Sequence, residues 1–370
     1  MDPRTIKLAQ VMVDYSLTIR PGDYFMIRGS FASMPLIKEV YRLALKRGAR
    51  PVVRFTSETL SEVFLKEASD EQLVYQHPLD LEEVRQINAY LHVWCSENTK
   101  FLTGVDPQRQ AKAQSARKEY QQIFFNRVAD GSLRWCGTLF PAPADAQEAS
   151  KSLADYEDFV YSAGYCDTDD PISHWKNVSV KQATICERLN RLSEIHVKSA
   201  DTDLKMKVAG RKWINCDGKE NFPDGEVFTS PLEDSTNGVI TYTYPACYVG
   251  REVENVRLHF KDGVVTKFSA DKNVEFLQRM LEMDEGAKRV GEFAIGTNYH
   301  IQTFSKNILF DEKIGGTCHL AVGNAIYEAG GVNKSALHWD MVCDLRNGGE
   351  IYGDGEVIYR DGKFVPGFGD

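Results

Sequence analysis

Along the first half of the chain, apolar residues recur at helical spacing in some segments and fill short runs in others, and the two kinds alternate. Residues 6–15 have helical spacing and 24–29 (YFMIRG) read as a strand. Residues 35–48 form a helix pattern with proline in its first turn and glycine at its end, and 51–55 (PVVRF) form a second strand pattern. That is a βαβ unit. Helical 70–76, the apolar strand 89–95, a long charged helix over 108–127 and the strand 134–140 extend it. The prediction is an α/β N-terminal domain, 1–176, with a mostly parallel sheet and helices on its faces.

The texture changes near residue 177. A helix over 180–195 leads into short strands separated by Gly, Asn and Asp turns: 203–210, 211–218, 226–231, 238–246 and 254–270. The last segment reads as a hairpin around KDG. A helix over 273–283 intervenes, and further strands carry the chain to its end. Residues 177–370 are thus predicted to be an α+β C-terminal domain rich in antiparallel, barrel-like strands.

Residues 335–345 read SALHWDMVCDL. In a strand, Leu337, Trp339, Met341 and Cys343 share an apolar face, and His338, Asp340, Val342 and Asp344 share the other. Three more segments set carboxylates or histidines among glycines and apolar strand residues. They are 221–231 with Glu226, 289–298 with Glu292, and 310–323 with Asp311, Glu312 and His319. Taken singly, each has a bland explanation. Glu226 suits a hairpin start, His319 a hydrogen-bonded core residue, Asp340 an orienting partner for His338, and Glu312 a surface turn. Glu292 is harder to explain, because a carboxylate in an apolar run is costly unless paired or metal-bound. Taken together, two glutamates, an aspartate and two histidines on strands supply the oxygen and imidazole donors of a two-metal centre. Three carboxylates and one hydroxide would balance two divalent ions.

Composition narrows the class. Hydrophobic residues at 42% and charged residues at 26% are ordinary globular usage, and a net charge of -9 without basic runs argues against nucleic acid. No apolar run is long enough for a membrane span, and the N-terminus lacks a signal-peptide pattern, so a cytoplasmic protein is expected. Eight scattered cysteines without a CxxC pair are expected to be free thiols. The dinucleotide and P-loop phosphate-binding fingerprints are missing. His174, His196, His259 and His300 have no carboxylate motif around them and are expected to be structural or exposed.

The ordered set PDGEVFTSP, GEFAIGTN, FDEKIGGTCHLAVG and NKSALHWDMV resembles the aminopeptidase T family of dinuclear metalloaminopeptidases, the AmpS and PepS type. The resemblance spans nearly the whole chain. It implies that two divalent ions (Zn, Co or Mn) are held by Glu226, Glu292, His319, His338 and Asp340, with Glu292 as the bridge. It also implies that Glu312 is the general base or completes the metal shell, and that Tyr327 donates to the oxyanion. The implied activity is release of N-terminal amino acids from peptides with a free N-terminus through a metal-bridging water, in a homodimer. The intervals from Glu312 to His319 and from His319 to His338 differ from those of AmpS, so a loop near the site is shorter. The alternatives are a metal-binding relative without peptidase activity, or a two-metal amidase acting on a non-peptide amide.

Overall fold

The computed structural model describes residues 2–369 and divides into two compact units, 1–172 with Lys219–Phe222, and Ser173–Gly218 with Pro223–Asp370. In the first unit, five strands pair in parallel in the order Arg50–Thr56, Tyr24–Ser30, Ala89–Trp94, Arg134–Leu139, Asn221–Phe222. The inner strands are rich in buried apolar residues, among them Phe25, Met26, Ile27, Leu91, Val93 and Cys136, as expected of strands covered on both faces. Helix Met34–Lys46 makes the crossover between the first two strands in sequence and buries Leu36, Ile37 and Val40. The charged helix read over 108–127 is broken in the structure. Arg117 leaves helical ψ (φ -84°, ψ 2°), separating helices Pro107–Ala116 and Lys118–Ala129.

Besides a two-stranded ribbon, Ala246–Tyr248 with Arg251–Val253, the second unit holds two larger antiparallel sheets. One has eight strands in the order Val264–Ser269, Arg257–Lys261, Asn237–Thr241, Thr202–Lys207, Glu194–Ser199, Glu350–Gly353, Glu356–Arg360, Lys363–Phe364. The other has five, in the order His338–Asp344, Thr317–Gly323, Val290–Gly296, Glu226–Thr229, Ile214–Cys216. Both contribute to one core, in which Ile195, Leu204, Ile240 and Leu258 join Phe293, Leu320, Trp339 and Met341. The hairpin around KDG forms as expected, with Asp262 and Gly263 both at positive φ.

The helix expected over 180–195 instead spans Pro171–Leu189. The chain turns at Asn190–Ser193 and becomes a strand at Glu194, where Ile195 and Val197 alternate into the core and outweigh the local helical spacing.

Candidate metal centre

The five-stranded sheet has two unlike faces. Phe293, Ile295, Cys318, Leu320, Val322, Trp339, Met341 and Cys343 point into the core. The alternate residues, Glu292, His319, His338 and Asp340, point the other way. Register brings these together: Glu292 pairs with Ala321 and Ala321 with Asp340, so the two acids share one row across three strands. His319 lies one row away, opposite Ala294. Alanines and glycines between the polar residues (Ala294, Gly296, Ala321, Gly323) leave space for the longer side chains to converge.

Two local devices aim the acids. The register shifts between Val290 and Glu292, a bulge at Gly291 that turns the Glu292 carboxylate into the row of Asp340. A Cβ at Gly291 would lie 2.2 Å from the Asn324 carbonyl oxygen, so only glycine permits the bulge. Gly225, at φ +116°, directs the chain into strand Glu226–Thr229. The backbone around it is held by Asn298, whose Nδ2 donates to the Asp224 carbonyl at 2.9 Å, and by Gln182, whose Nε2 donates to the Glu226 carbonyl at 3.1 Å.

The side chains meet around Glu292. Its Oε1 lies 3.5 Å from His319 Nε2 and its Oε2 lies 3.4 Å from His338 Nε2. Glu226 Oε2 is 3.5 Å from His319 Nε2, and Asp340 Oδ2 is 3.4 Å from His338 Nε2. These separations exceed the roughly 2.7–3.2 Å of a good hydrogen bond. They match the edge of a tetrahedron, about 3.4 Å, when two donors each sit about 2.0–2.2 Å from one ion. His338 Nδ1 donates to the Asn324 carbonyl at 2.8 Å, which in the neutral ring leaves the Nε2 lone pair facing Glu292 and Asp340.

Burial makes the arrangement costly without cations. His319 is fully buried, Glu226 is 4% exposed and Glu292 is 6% exposed. Both nitrogens of His319, Oε2 of Glu226 and Oδ1 of Asp340 have no hydrogen-bond partner among the described residues. Orphaned buried donor atoms of this kind call for an ion. The titration of the group points the same way. Burial opposes charge at every member, yet His338 is pushed up to about 12 by Asp340 and Glu292, and His319 to about 9 by Glu292 and Glu226. Asp340 falls to about 2 and Glu292 is also lowered, because the imidazoles offset the burial of the carboxylates. The acids thus hold negative charge that, when no metal is bound, is offset by protons on the rings and by the nearby Lys313 ammonium. The donor set fits divalent cations, with Glu226, Glu292 and His319 around one position and Glu292, His338 and Asp340 around the other, the ligand atoms of each set lying within 4.8 Å of one another.

Glu312 also reaches the cluster, forming with His319 and Asp340 a third set of atoms within 4.8 Å. Burial first, then Glu226 and Asp340, push its carboxyl up to about 8 against the pull of Lys313. Tyr327 lies on the surface. Its ring is 87% exposed at the head of the short turn Tyr327–Ala329.

Two residues at the centre were not singled out from the sequence. Lys313 is fully buried, with its Nζ 3.0 Å from Glu226 Oε1, 3.8 Å from Asp224 Oδ1 and in contact with the Glu312 carboxylate. Asp224 lies in the PDG turn. The one available signal was position: the polar run Asp311–Lys313 sits between Leu309–Phe310 and Ile314–Gly315, with no other charge nearby.

Residues 1–364 match the family described as thermophilic metalloprotease (M29). The chain is 27% identical over 404 residues to aminopeptidase 2 of Geobacillus stearothermophilus, covering 97% of each protein. It is 27% identical over 407 residues to aminopeptidase AmpS of Bacillus subtilis, covering 96% of this chain and 97% of that protein. The solved structure of wild-type AmpT from Thermus thermophilus superposes with a TM-score of 0.84 at 24% identity, covering 98% of this chain and 99% of that one.

Proposed function

The chain belongs to the M29 family of metalloproteases, and on that premise we propose that it releases N-terminal amino acids from peptides at a centre of two divalent ions held by Glu226, Glu292, His319, His338 and Asp340. It is an aminopeptidase, as its relatives are named. The observation that carries the two-ion reading is Glu292, which offers one oxygen to the side of His319 and the other to the side of His338. The donors suit Zn, Co or Mn.

When bound, such ions supply Lewis acidity toward the scissile carbonyl and acidify water. The protein's own residues do the rest. Glu312, with its proton affinity raised toward neutral pH, accepts a proton from the attacking water and returns it to the leaving amine. A free N-terminal amine would be held by one of the ions or by an acidic neighbour, which favours a free N-terminus over a blocked one. His338, 31% exposed, marks the side from which a peptide enters. All eight cysteines are free, which supports a reducing, cytoplasmic setting. The homodimer rests on the family resemblance.

The test is release of amino acid from leucine or alanine anilides and from a mixed peptide panel, before and after chelation and with Zn, Co or Mn added back. N-acetylated peptides should resist. Failure of the metal-replete protein to remove an N-terminal residue from any member of the panel refutes the proposal.

A further inference from the structure

The centre contains more potential ion positions than two. Four triads of side chains each bring ligand atoms within 4.8 Å of one another: Glu226–Glu292–His319, Glu292–His338–Asp340, Cys216–Asp224–Glu226 and Glu312–His319–Asp340. The first two share Glu292 and account for the ions proposed above. The other two have a different feature in common, because each contains carboxylates held by Lys313. Its ammonium lies 3.0 Å from Glu226 Oε1 and 3.8 Å from Asp224 Oδ1 in one triad, and touches Glu312 in the other.

We infer that the Lys313 ammonium is a resident cation that fixes the centre at two metal ions and reserves Glu312 for proton transfer. The inference rests on the two-ion reading and extends it to a residue outside the ligand set. With Lys313 on Glu226 Oε1, Glu226 has one oxygen, Oε2, left for coordination, and that oxygen is the one facing His319. With Lys313 on Glu312, that carboxylate is held beside the metal ligands without being needed as one. Charge is consistent with this arrangement. The buried carboxylates of Asp224, Glu226 and Glu292 and the part-buried ones of Glu312 and Asp340 carry five negative charges when ionised, which two divalent ions and one ammonium balance around a neutral water.

Removing the ammonium while leaving space should therefore open a third cation position on Asp224, Glu226 and the Cys216 thiol. The test compares wild type with Lys313→Ala after loading with Co²⁺ and removal of unbound ion, reading metal content and the electronic spectrum. Wild type should hold about two ions per chain without a thiolate-to-cobalt charge-transfer band, and Lys313→Ala about three with that band, which Cys216→Ser in the same background should abolish. Three ions without the band would place the third on Asp224 and Glu226 alone and still uphold the resident-cation role. The metal-free variant should unfold at lower temperature than wild type, because Asp224 and Glu226 lose their counter-charge, and cobalt should restore the folded state. A variant that folds but binds two ions or fewer, or that stays unfolded in excess cobalt, overturns the inference. A wild-type protein that loads fewer than about two ions refutes the two-ion reading instead, whatever the variant does.

Discussion

Glu292→Gln is the sharpest perturbation of the centre, because it changes charge and donor type with almost no change in shape. In the wild type Oε1 faces His319 at 3.5 Å and Oε2 faces His338 at 3.4 Å. An amide has one oxygen to offer, so whichever way it turns, one histidine faces an NH₂ group that cannot ligate. The ligand set also falls from three formal negative charges to two. A loss of about 100-fold in affinity corresponds to about 2.7 kcal/mol, and at least one ion should be lost at concentrations that fill both positions in the wild type. Stability supplies a second readout. At free metal about 100 times Kd, each ion stabilises the fold by about 2.7 kcal/mol, so two contribute about 5 kcal/mol. At about 2–4 °C per kcal/mol for a unit of this size, chelation should lower the wild-type Tm by about 10–20 °C. The variant should respond by half of that or less. Metal analysis after dialysis against buffered free Zn²⁺, with calorimetric melts in parallel, measures both. Two ions per chain in Glu292→Gln, with an unchanged response to chelator, would refute the bridge.

Three other outcomes follow from the same geometry. Glu312→Gln should keep its metal but lose about 10²–10⁴ in kcat, and the wild-type kcat should rise with pH along an acid limb no higher than about 8, since the base must be ionised and cations lower its pKa further. Retained turnover with full metal content would remove Glu312 from the chemistry. Loading the metal-free protein at pH 7 should release between two and three protons, because His319 and His338 are raised to about 9 and about 12, are charged at that pH and must be neutral to ligate, and Glu312, raised to about 8, loses its proton as the cations lower its pKa. The same shifts make the metal-free fold gain stability from the charged rings below about pH 6.5 and lose the His319 share as pH rises through about 9. Titration calorimetry in buffers of different ionisation enthalpy reads the protons directly, and a buffer-independent enthalpy contradicts the assignment. Tyr327→Phe should change kcat/KM by less than about threefold, since its ring is exposed; a loss near 10²-fold, the size expected for an oxyanion donor, would show that the hydroxyl does reach the reaction.

The strands of the centre were legible because their two faces must differ. Trp339, Met341 and Cys343 have to enter the core, and once they do, His338 and Asp340 can only share the other face. The parallel sheet was legible for a similar reason, since fully covered strands show as short apolar runs between helical patterns. Boundaries set by distant partners were not. Residues 190–195 have helical spacing, yet strand Glu194–Ser199 pairs with Thr202–Lys207 on one side and with Glu350–Gly353 on the other, and no local pattern contains the second partner. Helices Glu58–Glu67 and Leu153–Ala163 begin at Ser57 and Ser152, whose hydroxyls accept from the Leu60 and Asp155 amides, and such caps are short-range signals that hydrophobic periodicity does not contain.

The segment Asp311–Glu312–Lys313 marks where local reading stops. Three consecutive charged residues describe a surface turn on any scale of polarity, and Glu312 was placed near the metals only through the family resemblance. In the folded chain all three side chains turn inward for separate reasons. Asp311 accepts from Ser305 N at 2.7 Å and Ser305 Oγ at 2.8 Å, and its carboxyl is raised to about 7 by burial. Glu312 faces His319 and Asp340, and Lys313 bonds to Glu226, 87 residues away in sequence. Each burial is tolerable only because the others are present: Lys313 needs the carboxylates, and Glu226 and Glu312 need either Lys313 or a metal. A cluster whose members are individually unfavourable and jointly neutral leaves no periodic trace in the sequence. Replacing Lys313 should therefore expose the interdependence more clearly than replacing any single metal ligand, since its ammonium pairs with both the proposed ligand Glu226 and the proposed base Glu312.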